Sequence, residues 1–173
     1  MADINRRGDM PVSGFVTQRA FEQKSFFVPA SVNLPTGGTE TRILLLRNPS
    51  ASGRTLKLIS ISCLTTNTVS TISILRCYVG PTITATGTGL TIQTAARGSG
   101  ATTAMLAYSG PTASAVGSKF AGAIVISGTA GGREVVLEFD GGITLAENQD
   151  ILITGTPDGT NRASEVVVTW AED

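Results

Sequence analysis

The chain has 173 residues, enough for one domain, and only 15% of them are charged, against the ~25% of an average soluble domain. Basic and acidic residues cancel at 13 each, and there is no histidine. That removes Ser-His-Asp and Cys-His catalysis, the commonest zinc sites and the usual neutral-pH proton shuttle.

No apolar run approaches the ~20 residues of a membrane-spanning helix. The charged start, Met1 to Arg7, has no apolar stretch behind it as a secretory signal would, so synthesis in the cytoplasm is expected. Thr, Ser, Val and Ile are abundant, Gly stands at 20, and good helix formers dominate no long window. This is the composition of an all-β protein with many turns.

In chain order, residues 1–28 read as an extended N-terminal arm and residues 29–173 as the folded domain. The arm carries Arg6, Arg7 and Arg19 and the isolated aromatics Phe15, Phe21, Phe26 and Phe27. Within it, residues 13–24 suit a short helix capped by Ser13, or residues 15–21 a strand. A terminal segment with spaced aromatics and no core of its own docks either on its own domain or on another molecule.

Strands are then expected at residues 42–47, 55–64 and 71–79, the last two joined as a hairpin by the short stretch 65–70. Residues 80–117, rich in Gly, Ser, Thr and Ala, hold weaker strands near 90–94 and 104–107, with Gly-Pro turns at 80–81 and 110–111. Strands resume at 119–127, 133–139, 150–154 and 165–170. In the second of these Val135, Leu137 and Phe139 alternate with Glu134, Val136 and Glu138, as in a sheet buried on one side. Eight to ten short strands, no helix after residue 28 and no fixed-period repeat predict an antiparallel, jelly-roll-like β-sandwich.

Charge is unevenly spread. Residues 41–133 hold eight basic residues and no acid, whereas residues 134–173 hold nine acids opposed by Arg162 alone. Either early and late strands interleave, so that opposite charges meet within one sandwich, or a basic face of one copy meets an acidic face of another. A net basic surface with aromatics for stacking is not evident, so nucleic acid is not an expected partner. The two cysteines, Cys63 and Cys77, read as buried free thiols, with a cross-strand disulfide as the alternative.

Residues 48–55 superficially resemble a phosphate-binding loop, but Asn and Arg replace its first Gly and its Lys, and a strand pattern follows where a helix is required. Asp140-Gly141-Gly142 and Asp158-Gly159-Thr160-Asn161 read as turns rather than calcium loops, because neither has the spaced carboxylates of a cage. Arg7-Gly8-Asp9 spells an integrin-type tripeptide, but three letters match by chance often and nothing suggests an extracellular animal context. Glu134, Glu138, Asp140 and Glu147 are the carboxylates from which a glycosidase pair would come, but one Trp and two Tyr are few for a sugar cleft. No catalytic, cofactor or metal residue is therefore assigned.

In residues 42–58 an apolar strand ends in Asn48-Pro49-Ser50, turns through Ser52-Gly53 and re-enters as a strand. This resembles the opening hairpin of small jelly-roll virion proteins of tailed bacteriophages. Residues 142–153 are similar to the penultimate hairpin of the same folds, with Ala146-Glu147-Asn148 in place of the usual Pro-Gly turn.

The resemblance implies a capsid decoration (cement) protein. Such a protein sits on the capsid surface of the virion as a homotrimer and bridges major capsid protein subunits, with no cofactor and no membrane or nucleic-acid contact. Arg6, Arg7, Phe15, Arg19, Phe21, Phe26 and Phe27 would then be the arm's partner-binding residues. A receptor- or glycan-binding module of a tail, fibre or spike, working through residues 80–117, is the alternative, followed by a connector or baseplate part.

Overall fold

The computed structural model describes residues 24–34, 38–66, 71–95, 100–127, 133–157 and 162–173. Among these residues there are strands and no helix. The strands are β1 (Ser25–Leu34), β2 (Thr41–Asn48), β3 (Leu56–Thr66), β4 (Thr71–Val79), β5 (Thr82–Ala85), β6 (Thr88–Gly89) and β7 (Gln93–Thr94), then β8 (Leu106–Ser109), β9 (Thr112–Ala115), β10 (Ser118–Ser127), β11 (Arg133–Leu145), β12 (Gln149–Pro157) and β13 (Arg162–Glu172).

The first sheet runs β11-β3-β13-β1-β7, the second β10-β4-β12-β2-β8-β6, and β5-β9 form a separate ribbon. Every described pairing is antiparallel. The protein is an all-β antiparallel sandwich.

The core lies between the two large sheets. Strand alternation sends Phe26 and Val28 of β1, Ile61 and Cys63 of β3, and Val166, Val168 and Trp170 of β13 inward from one side. From the other side come Leu44 and Leu46 of β2, Leu75 and Cys77 of β4, and Ile151 and Ile153 of β12. Phe26 stacks on Trp170 with ring centroids 6.1 Å apart. Phe120 and Phe139 close the β10–β11 side at 5.8 Å. Cys63 and Cys77 are both free and buried, one in each sheet.

Three expectations are corrected. First, the arm does not extend to residue 28, because the chain is already strand at Ser25 and β1 pairs with β13 over ten positions. Phe26, expected as a partner anchor, is 2% exposed in the core. Pro29 looks like a strand breaker, but β7 pairs β1 only at Phe26 and Phe27, so Pro29 lies where β1 has no described neighbour on that side and a missing N–H is tolerated.

Second, residues 55–64 and 71–79 are no hairpin: β3 lies between β11 and β13, and β4 between β10 and β12 in the other sheet. The two resembling segments likewise cross between sheets, at β2–β3 and β11–β12. Alternation fixes which face of a strand is buried but not which strand lies beside it, so a short connection fits a corner as well as a hairpin. Asn48 clamps these two corners together, with Nδ2 donating to the carbonyls of Arg54 at 2.8 Å and Leu145 at 3.1 Å.

Third, the chain contains a duplicated unit. Residues 75–89 and 105–119 match at an offset of thirty residues, sharing Tyr78/Tyr108, Gly80/Gly110, Pro81/Pro111, Thr82/Thr112, Ala85/Ala115 and Gly87/Gly117. The two copies are related by an internal pseudo-two-fold. Val79 pairs with Ser118 as Ser109 pairs with Thr88, and β5 and β9 pair with each other. At its centre a single cross-strand row reads Tyr78, Leu152, Leu45, Tyr108. The β5–β9 ribbon covers this row, with Ala113 and the half-buried Ile83 and Val116 packed against Tyr78 and Leu152.

Candidate interaction surface

The ribbon closes the outer face of the second sheet, and below it polar groups are tied together. The Tyr78 hydroxyl donates to Glu40 at 3.0 Å, as does that of Thr154 at 2.5 Å, and Arg76 donates to Thr156 at 2.7 Å. Burial first, and then the hydrogen bond to Glu40, raises the pKa of Tyr78 above its ordinary value.

The opposite charges of the early and late chain do meet within the molecule. Arg47 forms a two-pronged pair with Asp150 at 2.9 and 2.7 Å, Arg54 meets Glu172 at 3.1 Å, and Lys57 pairs with Asp173. Glu172 is 1% exposed. It also accepts from Trp170 Nε1 at 3.1 Å, Ala104 N at 3.2 Å and the Thr103 hydroxyl, pinning the segment before β8 to the end of β13. Nothing in the sequence marked Glu172 as buried, because apart from Trp170 on its own strand its partners come from two distant segments, at Arg54 and at Thr103–Ala104.

The outer face of the first sheet is different, since no described residue packs over it. Register places its outward side chains in rows across β11, β3, β13 and β1. One row reads Glu134, Leu64, Glu165, Ser31; the next Val136, Ser62, Val167, Pro29; the next Glu138, Ser60, Thr169, Phe27. The middle row is an apolar stripe interrupted by Ser62, with Leu64 and Phe27 on its two sides. Val136, at 48% exposed, is one of two exposed large hydrophobic residues among those described. Glu134, Glu138 and Glu165 rim the stripe, are exposed and form no ion pair with a described residue. The result is an open sheet face with an apolar stripe between acidic rims.

Among the expected partner residues, Arg6, Arg7, Phe15, Arg19 and Phe21 lie outside the described residues, as do Arg7-Gly8-Asp9 and the 158–161 loop. Phe26 is in the core, and Phe27 is half-buried on the open face. The carboxylates considered for glycoside chemistry are dispersed. Glu134 and Glu138 are on the open face, and Asp140 sits in a bulge of β11 with φ 47°. Glu147 accepts from the backbone N–H of Gly53 at the clamped corners. A shallow cleft of about 230 Å3 lies beside the ends of β1 and β13, lined by Ser31, Val32, Asn33, Ala163, Ser164 and Glu165. Among the described residues no group of three His, Cys, Asp or Glu comes together to hold a metal ion.

No protein-family model matches the chain, and no curated protein sequence is significantly similar to it.

Proposed function

We propose that this chain is a non-enzymatic structural virion protein: a decoration protein that binds the outside of a phage head as a homotrimer and bridges major capsid subunits. The observation that carries the reading is the open face of the first sheet, an apolar stripe rimmed by Glu134, Glu138 and Glu165. Such a face fits a broad, partly basic protein surface better than a small molecule, which takes a concave pocket.

The winding supports the reading. Of the eight long strands, β1, β3, β11 and β13 fall in one sheet and β2, β4, β10 and β12 in the other, interleaved as in a jelly roll. The resemblance segments also meet at one clamped corner. A protein that binds only the assembled shell stabilises it by mass action, in proportion to the logarithm of its free concentration over its dissociation constant.

The deciding experiment is quantitative mass spectrometry of purified particles. A copy number on the scale of the capsid lattice is expected, with release when Val136→Asp is combined with Val167→Asp. A handful of copies would overturn the reading and place the chain on a tail or vertex, where a receptor-binding role takes precedence. Complete absence from particles would remove the virion reading altogether.

A further inference from the structure

Among the described residues, the β7 side of the first sheet is left open along most of β1. β7 covers only Phe26 and Phe27, and no described strand pairs with residues 28–34 on that side. Ser25 accepts from Ala95 on the β7 side, while Lys24 accepts from Glu172 on the β13 side. The N–H and C=O of one residue in an antiparallel strand point the same way, and successive residues alternate. Residues 25, 27, 29, 31 and 33 therefore turn their backbone groups to the β7 side. Beyond β7 the edge presents the carbonyl of Pro29 and both backbone groups of Ser31 and Asn33.

Natural edge strands are guarded by charges, bulges or short length. β1 has none of these guards. It carries no charged residue from Ser25 to Leu34 and holds an unshifted ten-position register with β13. Among the described residues its only guard is Pro29, at one end.

The arrangement of donors selects the occupant. Pro29 and Asn33 lie two residues either side of Ser31, so an antiparallel second copy centred on Ser31 uses every donor. Each Ser31 N–H meets the other copy's Ser31 carbonyl, and each Asn33 N–H meets the other copy's Pro29 carbonyl. The absent N–H of Pro29 falls opposite Asn33, where it costs one acceptor and no donor. The incoming strand must leave after Leu34, because β7 occupies the edge beyond.

We propose that β1 is a self-association edge, through which two copies of this chain join by antiparallel pairing about a two-fold axis at Ser31 to merge their first sheets. The contact is independent of the decoration reading; on a shell it would link neighbouring homotrimers across two-fold positions.

The test is sedimentation velocity on the full chain across a concentration series, with site-directed crosslinking. The wild type is expected to shift from monomer to dimer. Ser31→Pro removes two of the four inter-copy hydrogen bonds without touching the β13 side and should weaken dimerisation about tenfold to a hundredfold. Ser31→Lys keeps the fold testable, because residue 31 lies directly across from Glu165 in its own sheet. Between copies it sets two lysines opposite each other, which should also favour the monomer.

Ser31→Cys should crosslink on mild oxidation, since directly opposed residues lie about 5.5 Å apart at Cα. Asn33→Cys, displaced from its own counterpart, should not. A wild type that is monomeric throughout, or a dimer unaffected by Ser31→Lys, overturns the proposal. So does a dimer lost only on deletion of residues 1–23, which would assign association to the segment before β1.

Discussion

Gly87 and Gly117 occupy equivalent points of the two copies of the duplicated unit, thirty residues apart, each pressed against the backbone of the other copy. A Cβ on Gly87 would stand 2.1 Å from the carbonyl oxygen of Ser109, and one on Gly117 would stand 2.2 Å from that of Val79. Both residues have positive φ, at 88° and 90°.

Each glycine thus permits a close strand approach that a side chain would forbid. Gly87→Ala and Gly117→Ala should each cost more than about 2 kcal/mol, from strain and backbone displacement together. Gly117→Ala should cost more, because it disturbs the long β4–β10 seam, whereas Gly87 adjoins the two-residue β6. Gly89→Ala meets nothing within 4 Å and should be nearly neutral. Chemical denaturation of the three variants checks the order.

Glu172 should be the most costly carboxylate to remove. Glu172→Ala orphans the buried Trp170 Nε1 and the Ala104 N–H, and each unpaired buried donor costs about 1–3 kcal/mol. Arg54→Ala should cost much less, because the Arg54 side chain is 41% exposed and Glu172 keeps three other donors. Amide hydrogen exchange should show residues 103–105 losing protection in Glu172→Ala but not in Arg54→Ala.

Asn48 offers a sharper contrast between two similar side chains. Its amide donates to two carbonyls, those of Arg54 and Leu145, from a fully buried position. Asn48→Ala should destabilise by about 1–3 kcal/mol by removing the amide donor from both carbonyls, of which that of Arg54 keeps only the longer bond from the Ser52 hydroxyl at 3.3 Å. Asn48→Asp should be worse, since a carboxylate there faces two oxygens with nothing to donate unless it takes up a proton. Its loss of stability should therefore ease as the pH is lowered, whereas that of Asn48→Ala should not. Urea titrations at two pH values separate the cases.

The sequence marked most strands because their apolar residues alternate. Residues 133–139 and 165–170 fall inside β11 and β13, with the outward Glu134, Val136 and Glu138 on the side expected. Two kinds of information were beyond local pattern. Strand partners depend on long-range register, which is why β3 and β4 read as a hairpin and are not one.

Edge position is also invisible locally, so Pro29 hid β1 although Phe26 and Val28 already alternated around Phe27. The duplication was legible at Tyr78/Tyr108 and Gly80-Pro81/Gly110-Pro111 but occurs only once, so no sustained period exposed it. The open face needed the register of four strands. Its rows unite Leu64, Val136, Val167 and Pro29, which are scattered over more than a hundred residues of chain.

The two core thiols give the protein an alkaline limit. Burial pushes Cys63 up to about 11 and Cys77 up to about 12, from an ordinary value of 9.0. A raised pKa in the folded state means that the folded protein holds its thiol protons more tightly than the unfolded chain. The stability this contributes is fully present below pH 9. It is lost as the pH rises from 9 through about 11 and 12, where the unfolded chain has already released the protons. Tyr78, also raised, acts in the same direction above its own ordinary value of 10.0.

Equilibrium urea unfolding should therefore show a midpoint that declines steadily above pH 9. In the Cys63→Ala, Cys77→Ala double variant the midpoint should start lower, because two buried side chains are cut back, but should decline less steeply. Thiol-reactive reagents should modify the native protein at pH 8 only as fast as it unfolds. Rapid labelling of both cysteines in the native protein at that pH would show that the two thiols are accessible and would remove the basis of the alkaline limit.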